Sequence, residues 1–303
     1  PVPRELDNIY DESDYLKSQD YNKSIYWFNL ITSSITFITL LLVFNYELLG
    51  KLDNVLRSFS FENEISLSLL FFGSIFFINE VISIPFQLYR NFIIEEKFGF
   101  NKMSFKTFFL DKIKSYFLVI IVGGLIISIL LISIIYFSNN FWIYFWVIMS
   151  LFTVFINLFY TSLILPIFNK LKPLEDGSLK DKIYNYAKSV SFPLSNIFVI
   201  DGSKRSSKAN AFFSGLGKSK KIVLYDTLIK NHSEEELVSV LAHEVGHYKN
   251  NHILSNLILS ILFTGFMLFV LSKFLFNSEI SFALGGEISF RHFELFAFSI
   301  LYS

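Results

Sequence analysis

The sequence contains no cysteine and only five histidines among its 303 residues. The first absence excludes disulfide bonds and thiolate ligands, so any bound metal must be held by histidine or carboxylate side chains. An excess of charge is also missing, because 26 basic residues balance 26 acidic ones. This balance argues against a nucleic-acid-binding protein, which typically carries a basic surplus, and we expect no nucleic-acid partner.

Apolar side chains are abundant and make up 52% of the chain. Soluble domains are less apolar, so a membrane protein is the favoured class. A spanning helix needs about 20 apolar residues. Five spans are predicted: residues 24–46, residues 65–89, two within the uncharged residues 115–169 that turn at Ser138-Asn139-Asn140, and residues 253–272. Residues 288–303 begin a sixth.

The loops between these spans alternate between the two sides of the membrane. Residues 90–114 and 170–252 fall on the same side, because two spans separate them. The first of these loops is rich in basic residues, with six lysines and arginines against Glu95, Glu96 and Asp111. The positive-inside rule therefore predicts that both loops lie in the cytosol.

The sequence is predicted to divide into four parts. Residues 1–24 form a polar N-terminal segment, residues 25–169 and 253–303 form transmembrane helices, and residues 170–252 form a cytosolic α+β segment. In that segment Ser178 caps a predicted helix to about Val190, and strands are predicted at Asn196–Ile200, Ala211–Ser214 and Lys221–Tyr225, the last two joined as a hairpin through residues 215–220. The predicted fold class is an all-α membrane protein with a small α+β insert.

Residues 243–247 read His-Glu-Val-Gly-His, which matches the HExxH pattern of zinc metalloproteases. Ser233 and Glu236 form a predicted capping box that begins the helix carrying this run. Positions four apart lie about 40° apart around a helix, so His243 and His247 are able to ligate one zinc ion. Glu244 adjoins them and is placed to act as the general base, which makes this helix part of a catalytic segment. The alternative is an amphipathic helix whose polar face holds two histidines by chance.

A catalytic zinc site takes three protein ligands and keeps one position open. His252 lies nine residues after His243, about 180° around the helix, so it is not expected to be the third ligand. Ile253 occupies the place of the third histidine in the extended zincin pattern. His292 and Glu294 are the other candidates within the chain. We expect the third ligand beyond Ser303.

Several blocks of the sequence resemble the integral-membrane CAAX prenyl protease family. They include Ile84-Pro85-Phe86-Gln87-Leu88-Tyr89, the run from Phe92 to Asn101, the run from Leu165 to Leu174, the run Lys204-Arg205-Ser206-Ser207-Lys208-Ala209-Asn210-Ala211, the run from Lys221 to Leu228, and the His-Glu-Val-Gly-His motif. The resemblance covers essentially the whole chain in the same order. It starts after the family's first span, so we expect a fragment cut at both ends.

The resemblance implies seven spans that enclose a chamber in the membrane, about six of which this chain supplies, with the zinc-site helix at the cytosolic side. It implies zinc on His243 and His247, with Glu244 as general base. The family's third ligand is a glutamate in an E-x-x-x-D pattern, which Glu294 does not fit because Phe298 stands at the aspartate offset. Asn210 and Ala211 are expected on an edge strand that pairs with the substrate; alternatively, they only lead into the hairpin.

The activity implied by the resemblance is removal of the C-terminal aaX tripeptide from prenylated CaaX proteins by a zinc metalloendopeptidase. The expected location is the endoplasmic reticulum membrane, with a multi-pass chain and the active site toward the cytosol. The expected partners are a prenylated CaaX protein or peptide and the lipid bilayer. Two alternatives stay open, namely a membrane quality-control zinc protease and an inactive membrane scaffold.

Overall fold

A computed structural model describes residues 11–59, 63–215, 220–287 and 290–301 of the chain. The chain divides into two compact units. The first consists of Pro1–Asn101 and Phe274–Ser303, and the second consists of Lys102–Lys273.

Helices make up most of both units. In chain order they are α1 (Glu12–Asn45), α2 (Leu48–Ser58), α3 (Glu64–Tyr89), α4 (Phe105–Leu118), α5 (Gly124–Phe137), α6 (Phe141–Leu163), α7 (Leu165–Phe168), α8 (Ser178–Ser189), α9 (Asp226–Asn231), α10 (Glu234–Lys249), α11 (His252–Phe274), α12 (Ser278–Ala283) and α13 (Arg291–Leu301). A π-helical segment, Arg90–Glu95, continues α3, and another, Val119–Gly123, joins α4 to α5. The strands are β1 (Leu171–Pro173), β2 (Leu194–Ile200), β3 (Ala211–Ser214) and β4 (Lys220–Tyr225).

Four helical stretches of the described residues are long and apolar enough to cross a membrane: Glu12–Asn45, Glu64–Glu95, Phe105–Phe168 and His252–Phe274. The third stretch is interrupted, because Ser138 has a φ of 45° and begins a 3₁₀ turn that ends at Asn140. The rings of Phe137 and Tyr144 stack across this turn, with centroids 3.9 Å apart. The turn predicted between two spans is therefore confirmed.

α1 begins earlier than the predicted first span. The Asp11 carboxylate accepts hydrogen bonds from the backbone N–H groups of Ser13 and Asp14, which is a strong N-cap. A hydrogen bond from the Ser13 hydroxyl, helped by these two backbone bonds, holds the pKa of the Asp11 carboxyl below its ordinary value. Polar residues that were predicted to precede the span are therefore helical from Glu12 onward.

A small mixed sheet lies in the second unit, with the order β1-β2-β4-β3. β2 and β4 are parallel, while β1 pairs with β2 and β3 with β4 in antiparallel fashion. The three predicted strands are confirmed, and β3 and β4 pair as the hairpin requires. Residues 216–219 of the hairpin loop lie outside the described residues. β1 was not predicted, because it has only three residues and contains a proline.

One apolar core joins this sheet to α8, α9 and α10. Its fully buried members include Ile183 of α8, Ile222 and Leu224 of β4, and Leu237 and Leu241 of α10. Burying each leucine contributes about 1.5–3 kcal/mol. Because Leu237 and Leu241 are one turn apart, they fix one face of α10 against the sheet.

Candidate metal and peptide site

α10 begins at the capping box that the sequence predicts. The Ser233 hydroxyl accepts the Glu236 backbone N–H at 3.3 Å, and the Glu236 carboxylate accepts the Ser233 backbone N–H at 2.8 Å. The bond from the Ser233 backbone, with a smaller effect of its hydroxyl, lowers the pKa of the Glu236 carboxyl. The box fixes the first turn of α10, which lies two turns before His243.

Ser178 does not cap α8 as predicted. The residue before the helix is Gly177, and Ser178 is the first helical residue. Its hydroxyl instead donates to the Glu234 carboxylate of α10 at 2.5 Å. The side chain therefore links the starts of α8 and α10.

The two sides of α10 differ in burial. Leu241 and Val245 are buried, whereas His243 is exposed and Glu244 is half-buried. At about 100° per residue, positions 243 and 247 lie 40° apart and roughly opposite Leu241 and Val245. The helix backbone thus places both histidine positions on the side away from the core.

The donor chemistry of α10 fits part of a zinc site, because zinc takes imidazole ligands readily and the pair has the i, i+4 spacing. Among the side chains that the structure describes, which do not include that of His247, no three from histidine, aspartate or glutamate cluster closely enough to hold a metal ion. The third ligand beyond Ser303 therefore stays a prediction.

His252 does not lie on the same helix as His243, contrary to the prediction. α10 ends at Lys249, and Asn251 has a φ of 54°, so His252 begins the separate helix α11. An angle of 180° from His243 presumes one continuous helix and does not apply. Lys249 followed by two asparagines is typical of a helix C-terminus, and asparagine tolerates the left-handed backbone seen at Asn251.

His292 and Glu294 of α13 have other partners within the first unit, and both are fully buried. Glu294 accepts the Phe276 backbone N–H at 2.9 Å and pairs with Arg291 at 3.3 Å. His292 Nε2 lies 3.2 Å from Asp53 Oδ1. These contacts explain why the two side chains are buried, and they give both residues a structural role.

Asn210 and Ala211 stand where β3 begins, at the edge of the sheet. The Asn210 carbonyl accepts the Tyr225 N–H at 3.0 Å, so it faces β4. Backbone groups alternate along an antiparallel strand, and those of Ala211 and Phe213 therefore face the outer edge. The Asn210 side-chain oxygen accepts the Ala211 N–H at 2.9 Å. Phe213 was missed by the sequence reasoning, although the period of two from Ala211 points to it.

β3 and α10 are held side by side through one aromatic ring. The centroid of Phe192 lies 4.9 Å from that of Phe213 on β3 and 4.9 Å from that of Tyr248 on α10. Lys220 adds a second link, because its Nζ donates to the Gly215 carbonyl at 2.7 Å and lies 4.9 Å from the Tyr248 ring centroid. Burial lowers the pKa of Lys220. The edge strand is thus fixed next to the histidine-bearing helix.

A pocket of about 280 Å³ lies at the end of β3. Apolar and aromatic side chains dominate its walls, and Asn157 contributes an amide; the lining residues are Ile156, Asn157, Tyr160, Phe212, Phe213, Ser214, Gly215 and Ile253. Such a pocket is suited to one side chain of a peptide that pairs with β3.

Comparison with known proteins supports this description of the fold and indicates the family. A protein-family model described as "CAAX prenyl protease N-terminal, five membrane helices" matches residues 1–170, and one for peptidase family M48 matches residues 173–302. The "Probable CAAX prenyl protease 1" of Schizosaccharomyces pombe is 38% identical over 294 residues, which cover 92% of this chain and 61% of that protein. "CAAX prenyl protease 1" of Saccharomyces cerevisiae is 36% identical, covering 89% and 62% respectively.

In two further matches, this chain covers more than two thirds of the matched protein. The human "CAAX prenyl protease 1 homolog" is 32% identical, covering 94% of this chain and 69% of that protein. The crystal structure of S. mikatae Ste24p matches with a TM-score of 0.90 and 33% identity, over 100% of this chain and 73% of that one.

Together these matches define a multi-pass membrane protein with an M48 peptidase segment. The chain belongs to the CAAX prenyl protease 1 family, as its sequence motifs indicate. It spans about three fifths of the length of its fission and budding yeast relatives, at 61% and 62%.

Proposed function

We propose that the protein is a zinc metalloendopeptidase that removes the C-terminal aaX tripeptide from prenylated CaaX proteins. The observation that carries this proposal is the packing of α10, with its exposed His243 and half-buried Glu244, beside the edge strand β3. Relatives named as CAAX prenyl proteases support the substrate class.

His243 and His247 would hold the zinc ion, together with a glutamate in the sequence after Ser303. Zinc, when bound, supplies Lewis-acid polarisation of the scissile carbonyl. Glu244 takes a proton from the attacking water and delivers it to the leaving amine, because it adjoins His243 and is half-buried.

The substrate would lie extended along β3, with its backbone paired to the outward groups of Ala211 and Phe213. Before the Ala211 N–H pairs with a peptide, the Asn210 amide must release it. The Asn210 side chain is then available to the peptide backbone. The 280 Å³ pocket at the strand end receives one substrate side chain.

We also propose how the chain lies in the membrane around this site. Residues 25–169 and 253–303 provide about six of seven spans around a chamber in the endoplasmic reticulum membrane. Residues 170–252 form the cytosolic catalytic segment, and residues 1–24 precede the spans. The basic loop of residues 90–114 supports the cytosolic side.

One assay separates this function from the two alternatives. Purified full-length protein in detergent is given a farnesylated CaaX peptide and its unprenylated twin, and release of the tripeptide is followed. Cleavage of the farnesylated peptide alone is expected. Equal cleavage of both peptides would favour a quality-control protease, and cleavage of neither in the presence of zinc would favour an inactive scaffold.

A further inference from the structure

A larger pocket, of about 630 Å³, lies in the first unit between α1 and the C-terminal part of α3. Its volume is within the range of small-molecule sites. Trp27, Phe28 and Ile31 line it from α1, and Phe86 and Tyr89 line it from α3. It is built from residues other than those of the proposed peptidase site.

The helix that forms one wall is irregular where it meets the pocket. Pro85 lies inside α3, where it lacks the N–H that would continue the helical hydrogen bonds. The π-helical segment Arg90–Glu95 follows within two turns. Pro85 and two residues of the π segment, Ile93 and Ile94, line the pocket. Such π segments frequently occur at functional sites.

The pocket walls are α1 and the C-terminal part of α3, which run antiparallel to each other. The two ends of the pocket therefore have different residues. The Tyr21 ring on α1 meets the Phe98 ring, with centroids 5.3 Å apart, and the Phe28 ring stacks on Tyr89 at 6.0 Å. One end therefore contains Ser24 and Lys97, while the other contains Thr32 and Pro85. Lys97 is charged, and the other lining residues in the described part of the chain are neutral.

The acidic neighbours of Lys97 have other partners. Glu95 accepts the Tyr21 hydroxyl at 2.6 Å, and Glu96 accepts the Asn101 side-chain amide at 2.9 Å. The Lys97 ammonium instead lies 5.2 Å from the Phe98 ring centroid and is exposed. It is therefore positioned to bind an anion at the polar end of the pocket.

The rest of the pocket presents apolar surface. Trp27, Ile31, Tyr89 and Ile93 are 52%, 56%, 53% and 54% exposed, on helices long and apolar enough to cross a membrane. Hydrocarbon chains suit these walls. Basic pockets between spanning helices on the cytoplasmic side bind anionic lipid headgroups, and Lys97 belongs to the loop that the positive-inside rule assigns to that side.

We propose that this pocket binds one anionic phospholipid, with an acyl chain between α1 and α3 and its negatively charged headgroup at Lys97. The lipid would fill the space that the irregular helix creates. The site requires membrane embedding but does not depend on the proposed peptidase activity.

The test is native mass spectrometry of the full-length protein, released from nanodiscs of equal dioleoylphosphatidylserine and dioleoylphosphatidylcholine. We expect one phosphatidylserine to be retained in preference to phosphatidylcholine. Lys97→Gln should reduce its retention about fivefold, because one lysine near a lipid surface contributes about 1 kcal/mol. Lys97→Arg should retain the lipid. Lys106→Gln, which removes an exposed lysine outside the pocket, is the charge control.

A second pair of variants tests the apolar walls. Ile31→Trp should fill the pocket and reduce retention of phosphatidylserine. Ile38→Trp is its control, since Ile38 is 55% exposed, lies two turns further along α1 and does not line the pocket. The thermal midpoint of each variant is measured, so that unfolding is separated from lost binding.

Three results would overturn the proposal. The first is equal retention of the two lipids by the unmodified protein. The second is that Lys97→Gln and folded Ile31→Trp retain as much lipid as their controls. The third is displacement of phosphatidylserine by a photoreactive farnesyl probe that labels Trp27, which would assign the pocket to the prenyl chain.

Discussion

Two regions of the molecule place a histidine near a carboxylate, with opposite surroundings. On α10, His243 is exposed and adjoins the half-buried Glu244. In the first unit, His292 is fully buried, and its Nε2 lies 3.2 Å from Asp53, which is 1% exposed. The first histidine is exposed, while the second is enclosed in the interior of the first unit. Burial, rather than residue type, therefore separates the histidine proposed to bind zinc from the one with a structural role.

Asp53 and His292 belong to a cluster of side chains that contact one another in the first unit. Arg57 donates two hydrogen bonds to Asp53, at 2.7 and 3.1 Å, and its guanidinium lies 3.8 Å from the Phe290 ring centroid. The Ser68 hydroxyl lies 3.3 Å from His292 Nδ1. Burial alone would raise the pKa of Asp53, but the close contact with His292 and the hydrogen bonds from Arg57 outweigh it and lower this pKa below its ordinary value.

The largest expected effect is the loss of peptide turnover when the proposed general base is replaced. Glu244→Gln should reduce turnover of the farnesylated peptide about 10²- to 10⁴-fold, because the general base is lost. Bound zinc and the thermal midpoint should stay unchanged. Glu235→Gln, in the exposed first turn of the same helix, is the control and should retain turnover. Turnover of Glu244→Gln at the unmodified rate would contradict the assigned role.

The next largest effect is the loss of stability when Asp53 is removed from the buried cluster. Asp53→Ala should lower the free energy of unfolding by about 3–5 kcal/mol, because it leaves Arg57 and His292 without their buried partner. Thermal or denaturant unfolding of the full-length protein measures this change. Asp176→Ala, which removes a carboxylate from an exposed pair with Lys180, is expected to leave stability unchanged. Equal stability of the two variants would show that the cluster is not structural.

A third prediction concerns the edge strand. Ala211→Pro removes an N–H that faces outward, so the fold should tolerate it, and KM for the peptide should rise about 2- to 10-fold through one lost hydrogen bond. Ser214→Pro removes an N–H on the side of β4 and should destabilise the sheet instead. An unchanged KM for a folded Ala211→Pro variant would argue against pairing of the substrate with β3.

The smallest effect is a pH dependence of stability. Because the pKa of Asp53 is lowered in the folded protein, its contribution is fully present above the ordinary aspartate pKa of about 3.9. It is lost as the pH falls further, through the folded value. The thermal midpoint should therefore drop more between about pH 5 and pH 3 for the unmodified protein than for Asp53→Asn. Parallel curves would contradict this assignment.

Much of the second unit was predictable because its signals are local. The capping box at Ser233, the alternation in β3 and the polar turn at Ser138 each depend on a few adjacent residues. The break at Asn251 was missed although its signal is also local, since asparagine after a terminal lysine is typical of a helix C-terminus. The role of His292 was also missed. Its partners Asp53 and Ser68 are more than 200 positions away in the sequence, so only the folded chain brings them together.

The most direct test of the comparison is the zinc content of two histidine variants of the full-length protein, measured together with their thermal midpoints. We predict that His243→Ala loses bound zinc and has the thermal midpoint of the zinc-free unmodified protein. We predict that His292→Ala has a lower thermal midpoint but keeps the zinc content of its folded fraction. Full zinc content in His243→Ala, or loss of zinc from folded His292→Ala, would contradict the account.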